Sequence, residues 1–150
     1  MVGSVLIIVF SLLLLAYWFR YTCLLLLNQA EEEIPAAATQ EMAQSNHLSF
    51  VRVRQMLREG SQDLSLESLH GSLKQDYKVL QYLVRHTPDL EMTSFERHLL
   101  DAHYRIMNLW FRATRRSSAS LAHKALLEMS SVVFCFAREM GRRAESPSRA

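Results

Sequence analysis

Residues 2–19 read VGSVLIIVFSLLLLAYWF, eighteen positions with no charged side chain and no proline. At about 1.5 Å of rise per residue they form a helix of roughly 27 Å, close to the bilayer's apolar thickness of about 30 Å. Tyr17, Trp18 and Tyr21 surround Arg20 at the end of this run. That is the pattern of a membrane interface, where aromatic rings sit at headgroup level and a guanidinium reaches up to water. Leu24 to Leu27 prolong the apolar stretch, so residues 1–27 are expected to be a transmembrane signal-anchor helix.

A cleaved secretory leader is the competing reading. It calls for a basic start and small residues at the cut site. Here the chain opens Met1-Val2-Gly3-Ser4 without Lys or Arg, and bulky aromatics follow the apolar run. The segment is therefore expected to stay attached. A soluble core helix of this length normally keeps a polar face, and this one has none. Positive charge follows the run at Arg20 and does not precede it, which places the remainder of a single-pass chain on the cytoplasmic side.

Working outward, residues 28–39 contain Glu31-Glu32-Glu33, then Ile34-Pro35 and three alanines. Pro35 biases Ile34 toward extended backbone, so this stretch is expected to be a hinged linker. Residues 40–144 then form a helical domain of about 105 residues, enough for one modest core, and residues 145–150 a disordered tail. Gly and Pro together number only seven, fewer than the turns of a β-sandwich require. The fold class is all-α: an N-terminal membrane helix followed by a small antiparallel bundle of about four helices.

The clearest bundle helix follows Thr93 and Glu96, a Thr-x-x-Glu capping box. Phe95, Leu99, Ala102, Ile106, Leu109 and Ala113 recur at helical spacing behind it and are expected to face the core. A last helix from Ser120 to Met140 presents Ala122, Ala125, Met129, Val132 or Val133, Phe136 and Met140, with Gly141 as its stop. Leu73, Tyr77, Leu80 and Val84 mark an earlier helix ended by Pro88, with Leu64 to His70 either its early start or a separate turn. A first bundle helix over Gln40–Glu59 carries Phe50, Val53 and Leu57 and is capped by Gly60. Its Val51-Arg52-Val53-Arg54 also alternates like a strand, but no second such run exists to pair with it.

Chemistry-bearing patterns are sparse. Glu67-x-x-His70 is half of a bundle di-iron motif, and the other half is missing. His98 and Asp101 share a helix face, but His103 lies elsewhere around that helix, and Asp101 with Arg105 makes an ordinary i,i+4 pair. No nucleophile elbow, phosphate loop or Cys-x-x-Cys occurs. Cys135 sits in an apolar stretch that disfavours its thiolate. No cofactor is expected.

Charge is distributed unevenly. Residues 28–91 hold six Lys or Arg against ten Asp or Glu, whereas residues 92–150 hold ten against five. The acidic and basic helices either neutralise one another, or Arg112, Arg115, Arg116, Arg142 and Arg143 form a basic face. Val132 to Phe136 is apolar on all sides, so Phe134 and Phe136 are candidates for helix–helix contact, within the bundle or with a partner.

The reading is a single-pass membrane protein whose bundle is a non-catalytic scaffold or accessory subunit. Its expected partners are the lipid bilayer and a protein or second copy, with no specific nucleic acid. The rivals are a small tethered enzyme or metal protein using His98, Asp101 or the Glu67 and His70 pair, and an anionic-lipid or nucleic-acid binder using the arginines.

Overall fold

The computed structural model describes residues 2–32, 36–60, 65–87 and 92–145. The described residues contain no strand and form six α-helices: α1 Val2–Glu32, α2 Ala36–Ser45, α3 Phe50–Glu59, α4 Leu66–His86, α5 Ser94–Thr114 and α6 Ala119–Glu145. The all-α class is as read from the sequence. The stretch 28–39 is different: residues 28–32 are the last turns of α1 and residues 36–39 the first of α2, with 33–35 outside the described residues.

The helix expected over Gln40–Glu59 is broken in two. His47 takes a left-handed φ of 53°, and Leu48 N–H turns back to Ala43 O at 2.8 Å. Ser49, the residue before α3, makes no side-chain cap. The carboxylate of Asp76 on α4 supplies one instead, with Oδ2 accepting Ser49 N–H at 2.7 Å. Asp76 is buried, and burial pushes its carboxyl above the ordinary range against the opposing pull of the Ser49 and Phe50 amides. The sequence pattern could not show this break, because the cap comes from a residue 27 positions away. At its other end α3 stops at Gly60 in the left-handed conformation, with φ 64°.

Local signals set the later boundaries. Ser65 accepts Ser68 N–H and starts α4 at Leu66, so residues 65–70 open the second long helix. Thr93 Oγ1 accepts Glu96 N–H at 3.2 Å while Glu96 Oε2 accepts Thr93 N–H at 2.8 Å, the reciprocal box expected of that sequence. Ser118 Oγ accepts Leu121 N–H near the start of α6. Gly141 does not stop α6, which continues through it to Glu145, and residues 146–150 lie outside the described part.

α6 is the axle of the molecule and packs against α1, α2, α3, α4 and α5. Ala122, Ala125, Leu126, Met129, Val132, Val133, Phe136 and Ala137 along it are buried. The small residues let neighbours approach closely while the larger ones fill the gaps between them. Leu73, Leu80 and Val84 of α4 and Phe50, Val53 and Leu57 of α3 close over it, as their spacing predicts.

α5 is rotated from its expected setting. Its buried face is Leu99, Leu100, His103, Tyr104, Met107, Phe111 and Thr114. Of the six seam residues read from the sequence only Leu99 is buried, while Phe95 is 68%, Ile106 49% and Leu109 67% exposed. Two stripes of nearly equal period run along this helix. The buried one carries larger rings, and its polar tips on His103 and Tyr104 hid it from an apolar count. Tyr104 stacks on Tyr77 with ring centroids 3.7 Å apart, and Tyr77 donates its hydroxyl to Asp101.

Replacing Asp76 by Ala removes the α3 cap from a buried site and is expected to cost about 1–2 kcal/mol. Asp76→Asn keeps a carbonyl acceptor and sheds a desolvated charge, so it should cost clearly less. Urea unfolding of the full chain in mild detergent, followed by circular dichroism, gives both values.

Candidate interaction surface

α1 has two parts with different surroundings. Its residues from Val5 to Trp18 are exposed along the whole length, with no polar face among them. Past Arg20 the helix enters the bundle, where Cys23 is 0% and Leu27 5% exposed and Leu27 joins the main core. Among the described residues two helices are long and apolar enough to cross a membrane: Gly3–Asn28, with mean hydropathy 2.0, and Ala119–Arg142, with 1.2. The second is the half-buried α6, whose apolar character is accounted for by its five neighbours.

Arg20 marks the junction. Its guanidinium forks onto Glu128 of α6, with Nη2–Oε1 at 2.8 Å and Nη1–Oε2 at 3.4 Å. On the other side of that carboxylate lies the fully buried His103 of α5, with Nε2 3.2 Å from Oε2. Burial alone would raise the Glu128 carboxyl, but the contacts with His103 and Arg20 outweigh it and hold the group below its ordinary value. One carboxylate thus fastens α1, α5 and α6 together. No local pattern marks this contact, since Arg20 and Glu128 are separated by 108 residues.

Beside the junction, Arg20, Ile106, Met107, Trp110, Leu121, Lys124, Ala125 and Glu128 line an open hollow of about 360 Å³. Trp110 is 50% and Leu121 40% exposed, next to the uncovered Ile106 and Leu109. Further along α6, Phe134 shares a second hollow with Thr39 and Gln40 of α2, which begins four residues after α1 ends. α1 therefore advances along α6 in the same direction. Its exposed portion, before Arg20, leaves the bundle past the turn that joins α5 to α6.

The arginines of the expected basic face are not brought together. Arg112, Arg115 and Arg116 lie at the α5–α6 turn, where Arg115 pairs with Glu67 at 2.8 Å. Arg142 lies toward the opposite end of the bundle, pairing with Glu139 at 2.7 Å, and the side chain of Arg143 is outside the described residues. Phe136 is buried against Tyr77, whereas Phe134 is only half-buried, edge-on to Phe50 and beneath the Arg54 guanidinium. Both phenylalanines serve contacts inside the bundle. Tyr17, Trp18, Arg20 and Tyr21 lie where α1 emerges, with Trp18 66% exposed.

The residues weighed for chemistry are dispersed. Glu67 holds Arg115, while His70 stacks on Phe111 and meets Asn108 Oδ1 at 2.6 Å. His98 turns its Nδ1 to the Ser94 carbonyl, and Asp101 is taken by Tyr77, Gln81 and Arg105. His123 meets the Leu57 carbonyl at 2.8 Å and so ties α6 to the end of α3. Among the described residues no three His, Cys, Asp or Glu side chains converge as metal ligands. Burial pushes the Cys135 thiol up to about 12, which keeps it protonated at neutral pH.

No family model, curated protein or solved structure matches this chain.

Glu128→Gln is expected to destabilise the bundle by about 1–3 kcal/mol, since it weakens the hold on Arg20 and His103. A carboxyl held below its ordinary value of 4.5 adds stability that is complete above that value and is lost as the pH falls through the lower folded value. The wild type should therefore weaken on acidification over that interval, and the Gln variant should show a flatter profile. Parallel urea titrations across pH check both statements.

Proposed function

We propose that this is a single-pass membrane protein in which α1 anchors a non-catalytic helical bundle, and that the bundle works by holding a partner beside the bilayer as a scaffold or accessory subunit. The observation that carries the reading is the burial of Cys23 and Leu27 on the same helix that exposes an uninterrupted apolar surface before Arg20. Removal of the whole of α1 as a leader would strip Cys23 and Leu27 from the core, which supports its retention. An apolar helix of this length with no cover of its own is stable against lipid and unstable against water.

Sidedness follows from charge. Arg20, Lys124, Arg112, Arg115 and Arg116 cluster at the end of the bundle from which α1 emerges. A basic excess flanking a membrane helix favours the cytoplasmic side, which supports a cytoplasmic bundle. The ion pairs and hydrogen bonds of Glu67, His70, His98 and Asp101 are those of a structural framework, which supports a binding role over catalysis.

The full chain is expected to remain in membranes through an alkaline carbonate wash, and crosslinking in intact membranes is expected to join the bundle to a discrete partner. Release of the intact chain by the wash would overturn the anchor, and turnover of a substrate by the purified protein would overturn the non-catalytic role. Leu27→Ala is expected to lower stability by about 2–4 kcal/mol, as for other buried leucines, whereas Leu13→Ala in the exposed part should leave it nearly unchanged. Unfolding of both variants in the same detergent tests whether α1 belongs to the core beyond Arg20.

A further inference from the structure

The turn between α5 and α6 brings together features that the bundle does not use. Leu109, Trp110 and Leu121 stand exposed there, and Trp110 and Leu121 share a hollow with Arg20 of α1. Arg112 and Arg116 are exposed at the same turn, and Lys124 is exposed beside Leu121 in the hollow. Arg115 is held by Glu67 and stays out of the group. Large apolar side chains ringed by cations on one edge match the boundary between acyl chains and anionic headgroups.

The position of this edge gives the occupant. Arg20 meets the bundle level with Lys124 and Glu128. α6 begins at Ala119, five residues earlier, so its first turn projects roughly 7 Å further toward the exposed end of α1. If Arg20 lies at headgroup level, that projection carries Trp110 and Leu121 to the top of the acyl region. The apolar flank of the turn is then continuous with the apolar surface of α1 through the hollow that Arg20, Trp110 and Leu121 share.

We infer that the α5–α6 turn is a second membrane contact, in which Leu109, Trp110 and Leu121 enter the interface of the bilayer that holds α1 while Arg112, Arg116 and Lys124 bind anionic headgroups. The inference rests on the anchoring role of α1 proposed above. Two attachment points fix the tilt of the bundle against the surface, which one helix cannot do. The headgroup contribution is electrostatic and weakens as salt screens it.

Trp18 and Trp110 are the chain's two tryptophans, so each can be made the sole reporter. The full chain carrying Trp18→Phe is reconstituted into phosphatidylcholine nanodiscs with and without phosphatidylserine, using lipids brominated near the headgroup. Trp110 is expected to lose most of its emission to the bromines in the anionic discs and much less in the neutral ones. Arg116→Glu with Lys124→Glu should abolish the difference. The companion Trp110→Phe protein reports Trp18 and hence the anchor.

Quenching of Trp18 but not of Trp110 leaves the anchor standing and overturns the second contact. Quenching of neither overturns the anchor itself. Equal quenching of Trp110 in both lipids overturns the binding of anionic headgroups. A Trp110 shielded from aqueous acrylamide yet untouched by the bromines assigns the face to a second copy and overturns the lipid contact.

Discussion

A helix that is apolar on every side has to be covered on every side, and α6 imposes that requirement on the rest of the chain. Val132, Val133, Cys135, Phe136 and Ala137 are all buried along little more than one turn. No single neighbour shields more than about a third of a helix surface, so several must gather round it. The break at residues 46–49 serves the same end. A straight helix from Ala36 to Glu59 would lie along one line, whereas two short ones follow the curved surface of the axle and bring both Ala43 and Phe50 into the core.

Charged groups do their structural work at helix junctions. Asp76 caps α3 from α4, Glu128 joins α1 to α5 and α6, and Asp101 gathers Tyr77, Gln81 and Arg105. Each of these carboxylates has several donors, which is what partial burial of a charge demands. The chain's division into an acidic first half and a basic second half is accounted for in part by such contacts, as in Glu67 with Arg115.

The parts of the fold that could be read from the sequence are those written locally. The capping box at Thr93 and Glu96, the left-handed Gly60 and the spacing of Leu73, Leu80 and Val84 all lie within one or two turns of the features they specify. The features that could not be read depend on distant residues. The fastening of α1 is one of them, since it comes from Glu128, far along the chain, and from a core that accepts Cys23 and Leu27. The buried stripe of α5 is hidden because His103 and Tyr104 count as polar in a pattern, yet both are buried, His103 beside Glu128 and Tyr104 stacked on Tyr77. For the same reason Ile106 and Leu109 read as core in the sequence, yet stand exposed in the fold.

The way α1 runs into the core governs how the proposed membrane protein would meet its neighbours. A bundle on a loose tether could swing through a hemisphere and present any side to any height. A bundle entered by a continuous helix up to Leu27, and pinned at Arg20, keeps one azimuth relative to its anchor. Lateral diffusion and rotation about the membrane normal then change its position and heading but not its height or the side it turns to the bilayer, so encounters are confined to a plane with rotation about a single axis. Two such molecules approach with few orientations to sample, so recognition between them loses less rotational freedom than the same contact would between bodies free in solution.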